Sequence, residues 1–101
     1  MSILHIVNKS PYERNSFDSC LRLAKKGAGL LLIEDGIYAA QNVGDANANL
    51  KTALASLNVY ALQPDVTARG MNDKIDAAVT LIDYDGFVKL TTEYDKVQSW
   101  L

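Results

Sequence analysis

The chain has 101 residues, 49% of them apolar and 22% charged, with 10 basic against 12 acidic side chains and a net charge of −2. That length fits a single globular domain over residues 1–101, excludes a free-standing multidomain enzyme, and leaves a small core that gains from association with a partner. The near balance of charge supplies no basic field to concentrate a polyanion, so no direct nucleic-acid binding is expected.

Cys20 is the one cysteine, which excludes an internal disulfide. The start MSILHIVNKS has neither the length nor the flanks of a secretory signal, so a reducing, cytoplasmic location is expected. Apolar runs such as Leu30 to Ile33 fall far short of the ~20 residues of a membrane-spanning helix, so no membrane span is expected.

Ile3-Leu4-His5-Ile6-Val7 is a nearly continuous apolar run, predicting a buried strand that leads into a turn at Asn8-Lys9-Ser10-Pro11. Asn15 to Lys26 predicts an amphipathic helix with Phe17, Cys20, Leu21 and Ala24 on one face. Lys25, Lys26 and Gly27 supply the cations and the glycine favoured where helix carbonyls go unpaired. Gly29 to Ile33 reads as a strand apolar on both faces, followed by a turn at Glu34-Asp35-Gly36. Asp45 to Leu57 carries Leu50, Leu54 and Leu57 on one helical stripe. Asn58 to Leu62 is a third strand, stopped by Gln63-Pro64-Asp65, and Asp65 to Arg69 forms a short helix closed by Gly70. Ala77 to Ile82 is a fourth strand. Tyr84 to Tyr94 predicts a last helix with Tyr84, Phe87, Val88, Thr91 and Tyr94 on one side. The tail residues Val97, Trp100 and Leu101 continue that spacing, as a terminal helix face folded onto the core or an exposed docking patch.

Alternating strands and helices, with the strands apolar on both faces, predict an α/β fold: a three-layer sandwich with a mostly parallel central sheet flanked by helices. In such sheets working groups collect beyond the carboxyl ends of the strands, here Asn8–Ser10, Glu34–Gly36, Gln63–Asp65 and Asp83–Asp85.

No GxGxxG or P-loop pattern follows a strand, and no set of residues has the spacing of a metal site, so neither nucleotide binding of those two kinds nor a metal is expected. The single His5 lies in an apolar strand, where one satisfied hydrogen bond is the expected duty. Asp35 and Asp83 both close strands. Either they converge as the magnesium-holding acids of a phospho-accepting receiver domain, or Asp35-Gly36 makes a turn and Asp83 or Asp85 caps the last helix. Cys20 is the candidate catalytic residue, since it alone offers nucleophilic sulfur. The thiolate needs a positive or hydrogen-bonding setting. Its helical neighbours Ser16, Phe17, Leu23 and Ala24 supply no cation, and Arg22 lies about 200° around the helix. Cys20 is therefore either buried and inert, or active with a partner surface completing its site.

Several segments in order carry a resemblance. They are Leu4-His5 with Asn8-Lys9-Ser10-Pro11, the run Leu31 to Ala40, Val59 to Leu62 with Asp65 and Ala68-Arg69-Gly70, then Ile82-Asp83-Tyr84, Phe87-Val88 and Leu90-Thr91. Over nearly its full length the chain resembles the DsrH/TusB family of sulfur-relay proteins, in the DsrEFH/TusBCD group, and most of all DsrH. The resemblance implies a subunit of a cytoplasmic α2β2γ2 heterohexamer, built with DsrE-like and DsrF-like (TusD-like and TusC-like) sister subunits. Such complexes hand persulfide sulfur between protein cysteines, with no metal or organic cofactor, and communicate with a DsrC/TusE-type sulfur carrier protein. The TusB branch leads to 2-thiolation of tRNA wobble uridine, the DsrH branch to dissimilatory sulfur oxidation. A cysteine at the position of Cys20 is a DsrH trait, so the resemblance implies sulfur oxidation, with Cys20 as auxiliary acceptor and the principal acceptor on the DsrE-like partner. A TusB-like subunit and a non-catalytic scaffold are the alternatives.

Overall fold

The computed structural model describes residues 2–12, 15–42 and 46–100, with the backbone alone at 46 and 47. The chain runs β1 (Ile3–Val7), α1 (Ser16–Leu23), β2 (Gly29–Leu32), a 3-10 helix (Glu34–Ala40), α2 (Ala46–Ser56), β3 (Asn58–Leu62), α3 (Gln63–Ala68), β4 (Thr80–Ile82), α4 (Tyr84–Glu93) and β5 (Lys96–Trp100). The five strands form one sheet in the order β4-β3-β2-β1-β5, and every neighbouring pair is parallel. This is the expected α/β sandwich, with a wholly parallel sheet.

The pleat sorts the core into two layers. Val7, Leu30, Leu32, Val59 and Ala61 face one side, where Phe17 and Cys20 of α1, Ile37 of the 3-10 helix, Leu50 and Ala53 of α2, and Val66 of α3 close over them. Leu4, Ile6 and Leu31 face the other side and meet Leu90 of α4, with Tyr60, Phe87 and Tyr94 at the margin. Strands covered on both faces read as continuous apolar runs, which is why β1, β2 and β3 were evident from composition. The predicted stripe on α2 holds, with Leu50 and Leu57 buried and Leu54 packed against the same cluster; Asp45, its predicted start, lies outside the described residues.

Four expectations are revised. First, α1 ends at Leu23, because Ala24 is already extended (φ −70°, ψ 134°) and the chain must reach β2. Lys25 and Lys26 lie beyond the helix, and Gly27 takes the positive φ (90°) of the turn. Second, the turn at Glu34-Asp35-Gly36 continues as a seven-residue 3-10 helix. Gly36 allows this, since a Cβ there would sit on the Val7 carbonyl oxygen. Third, β4 is only Thr80–Ile82. Asp76 holds the preceding turn, accepting from the amide of Ala78 at 2.9 Å while its carbonyl accepts from that of Val79 at 3.0 Å.

The fourth concerns the end of the chain. The tail is not helical: Lys96–Trp100 is a strand that pairs with β1 from Ile3↔Lys96 to Val7↔Trp100. Its three-residue spacing of Tyr94, Val97 and Trp100 imitates a helix, while polar residues on both faces of an edge strand hide the alternation. Trp100 packs against the first core cluster and Val97 is exposed; Leu101 lies outside the described residues. On α4 the buried side is Leu90 with Phe87 and Tyr94, whereas Tyr84 and Val88 are 60% and 64% exposed. No helix among the described residues is long and apolar enough to cross a membrane.

Candidate functional site

Cys20 lies on the apolar face of α1, in the cluster with Phe17, Val7, Leu30 and Leu32, and is 0% exposed. Burial pushes its thiol from 9.0 up to about 12, since a thiolate cannot be solvated among hydrocarbon side chains. Arg22 points to solvent and donates to Ser19 Oγ at 3.4 Å. In this chain the thiol is therefore protonated near neutrality and a poor nucleophile.

The carboxyl ends of β2 and β3 carry a polar cluster. Asp35 Oδ1 accepts from Arg69 Nε at 3.0 Å, and Arg69 Nη1 donates to the Asp65 carbonyl at 3.3 Å and stands 3.9 Å from Asp65 Oδ1. Asp65 Oδ2 accepts from the amide of Glu34 at 2.7 Å, at the one described non-glycine residue with positive φ (50°). Pro64 in the first turn of α3 fixes φ where no helical N–H is needed, and so sets the direction of the helix that presents Asp65 and Arg69. Asp83 instead caps α4, its Oδ1 accepting from Gly86 N at 2.8 Å. Asp35 and Asp83 thus serve separate local partners, an ion pair and a helix cap, rather than one magnesium pocket. At the end of β1, Asn8 Oδ1 is buried with no hydrogen-bond partner.

His5 is buried on the first face of the sheet, where its Nδ1 accepts from Trp100 Nε1 at 3.0 Å, with ring centroids 6.0 Å apart and planes at 42°. Burial lowers its pKa below the usual 6.5. The single hydrogen bond expected of His5 is present. Its partner was not foreseeable from local sequence, because the two residues are 95 positions apart and meet only when β5 lies beside β1.

The family model described as "DsrH like protein" matches residues 9–97. A Protein TusB from Pectobacterium parmentieri is 40% identical over 98 residues, 97% of this chain and 100% of that protein. A Protein TusB from Escherichia coli K12 is 38% identical over 99 residues, with the same coverage of 97% and 100%. Among solved structures, the crystal structure of the ychN protein from E. coli superposes with a TM-score of 0.82 at 22% identity, covering 98% of each chain. The solution structure of protein Tm0979 from Thermotoga maritima gives 0.63 at 23% identity, over 92% of this chain and 93% of that one. These two likenesses concern the fold alone.

Proposed function

Because the chain belongs to the DsrH-like family, matched over residues 9–97, we propose that it is a TusB-type subunit of a cytoplasmic sulfur relay. In this reading it assembles with TusC-like and TusD-like sister subunits, meets a TusE-type carrier, and serves 2-thiolation of tRNA wobble uridine without touching the RNA itself. Its identity to proteins named TusB, at 40% over 97% of the chain, favours this branch over sulfur oxidation. Its task is to complete and shape the assembly, and the cysteine that bears the sulfur belongs to a sister subunit. The observation that carries the scaffold role is the sealed position of Cys20, 0% exposed with a thiol at about 12.

The presence of a cysteine on α1 favours a second reading, in which Cys20 is an auxiliary acceptor within dissimilatory sulfur oxidation. There a Cys20 thiolate attacks the terminal sulfur of a partner persulfide. The S–S bond breaks, a Cys20 persulfide forms, and the partner leaves as a thiolate, with no net change in electrons. This step requires α1 to move so that the thiol meets the partner.

One experiment separates the two. The chain and its Cys20→Ala variant are each co-expressed with TusC-like and TusD-like subunits, supplied with a persulfide donor, and weighed by native mass spectrometry. The scaffold reading expects assembly and equal onward transfer by both proteins, with no sulfur adduct on this subunit. An adduct on the wild-type subunit that the variant lacks, with transfer reduced, overturns it for the carrier reading. Failure of this chain to associate with either sister removes both.

A further inference from the structure

A cavity of about 590 Å³ opens on the first face of the sheet, where the segment after α1 passes the paired β1 and β5; its lining includes Ser2, His5, Lys25, Lys26, Asp95 and Trp100. Its volume lies within the ~300–1,000 Å³ common for small-molecule sites.

The polar groups around it are unevenly satisfied. Asp95 is occupied, its Oδ2 accepting from the Ser2 amide at 3.0 Å while its own amide donates to Ser2 Oγ at 3.1 Å. His5, only 4% exposed, has its Nδ1 taken by the Trp100 indole N–H. A neutral imidazole that accepts at Nδ1 carries its proton on Nε2, and that N–H donates to no described residue. Neither Lys25 nor Lys26 forms an ion pair with a described residue. Gln98 also lines the cavity, with an amide that can donate or accept. Among the described residues, the groups left unmet thus include two cations and the imidazole N–H beside an indole, alongside the free Asp95 Oδ1. An anion is the group that satisfies two cations and a neighbouring N–H together, through charge-assisted hydrogen bonds.

We propose that this cavity binds a small organic anion, a carboxylate or a phosphate monoester with a flat apolar body. Its charged end meets the two lysines and the His5 Nε2–H, and its body lies against Trp100. This site is independent of Cys20 and of any sulfur transfer.

Trp100 is the only tryptophan and His5 the only histidine, so both report without mutation. The test titrates the purified chain with benzoate, phenyl phosphate and the neutral benzamide, following Trp100 emission and the His5 ring protons by NMR. Saturable changes with either anion and not with benzamide support the proposal, and the tighter anion identifies the head group. The Lys25→Ala/Lys26→Ala variant, which alters only exposed side chains, weakens anion binding about tenfold. Absence of a saturable response to both anions up to about 10 mM, an equal response to benzamide, or unchanged affinity in the double variant overturns it.

Discussion

The carboxylate of Asp65 holds the backbone amide of Glu34 at 2.7 Å. It thereby fixes the positive φ of 50° with which the chain turns from β2 into the 3-10 helix. An L-residue in this conformation is strained by about 1–2 kcal/mol. With Arg69 bridging Asp35 and Asp65, one side chain on α3 sets the path of a segment 31 residues earlier. Asp65→Ala is expected to lower unfolding stability by about 1–3 kcal/mol, and Asp65→Asn, which keeps an acceptor, by less. Glu34→Gly is expected to raise it by about 0.5–1 kcal/mol. Urea unfolding of the three variants checks the order; an Asp65→Ala protein as stable as wild type would show that water replaces the carboxylate.

Cys20 is expected to resist a water-soluble disulfide reagent in the folded chain and to react fully in denaturant. Cys20→Ser places a hydroxyl in an apolar cluster and should cost about 1–3 kcal/mol, more than Cys20→Ala if the missing hydrogen bond outweighs the small cavity. Its raised pKa favours the folded state while the thiol stays protonated. That contribution is complete below the unfolded value of 9.0 and declines from there as pH rises toward about 12. Alkaline unfolding curves of wild type and Cys20→Ala should therefore converge above pH 9.0.

His5 works in the opposite direction. Burial lowers its pKa beneath 6.5, so the unfolded chain takes up the proton first as the solution is acidified. Stability is complete above 6.5 and falls below it. Protonation also places an N–H on Nδ1, where it opposes the indole N–H of Trp100. NMR titration of the lone imidazole should give a midpoint below 6.5, with Trp100 fluorescence changing at the same pH; a midpoint at or above the ordinary value contradicts the account.

Gly36→Ala is expected to cost about 3 kcal/mol or more, since its Cβ would collide with the Val7 carbonyl oxygen and main chain cannot swing aside as a side-chain tip can. Gly27→Ala meets nothing within 4 Å and carries only the penalty of its φ of 90°, so it should cost about 1–2 kcal/mol. Thermal unfolding of the pair separates a steric clash from a conformational penalty; equal losses would contradict the packing around Gly36.

The buried elements were legible because each bears its own signature. Four consecutive apolar residues in Leu30–Ile33, the Leu50/Leu54/Leu57 stripe and the Gln63-Pro64-Asp65 stop all describe local chemistry. What escaped was decided at a distance. Lys96–Trp100 is a strand because β1 offers it a ladder, and Trp100 matters because His5 lies across that ladder. The loops beyond the carboxyl ends of the strands hold structural pairs, Asp35 with Arg69 and Asp83 with Gly86. The cavity lies instead where the segment after α1 meets β1 and β5, a place that no loop motif marks. Cys20 was recognised as the sole thiol, but its burial depends on Leu30 and Leu32 of β2 together with Val7 of β1.

The pairing of Ile3 with Lys96 orders events during translation. During synthesis β1 finds one neighbour early, in β2, yet keeps a bare flank until Lys96–Trp100 has been made. Until then the nascent chain carries an open hydrogen-bonding edge, and crowding of polysomes is the moment at which this fold is most exposed to misassembly.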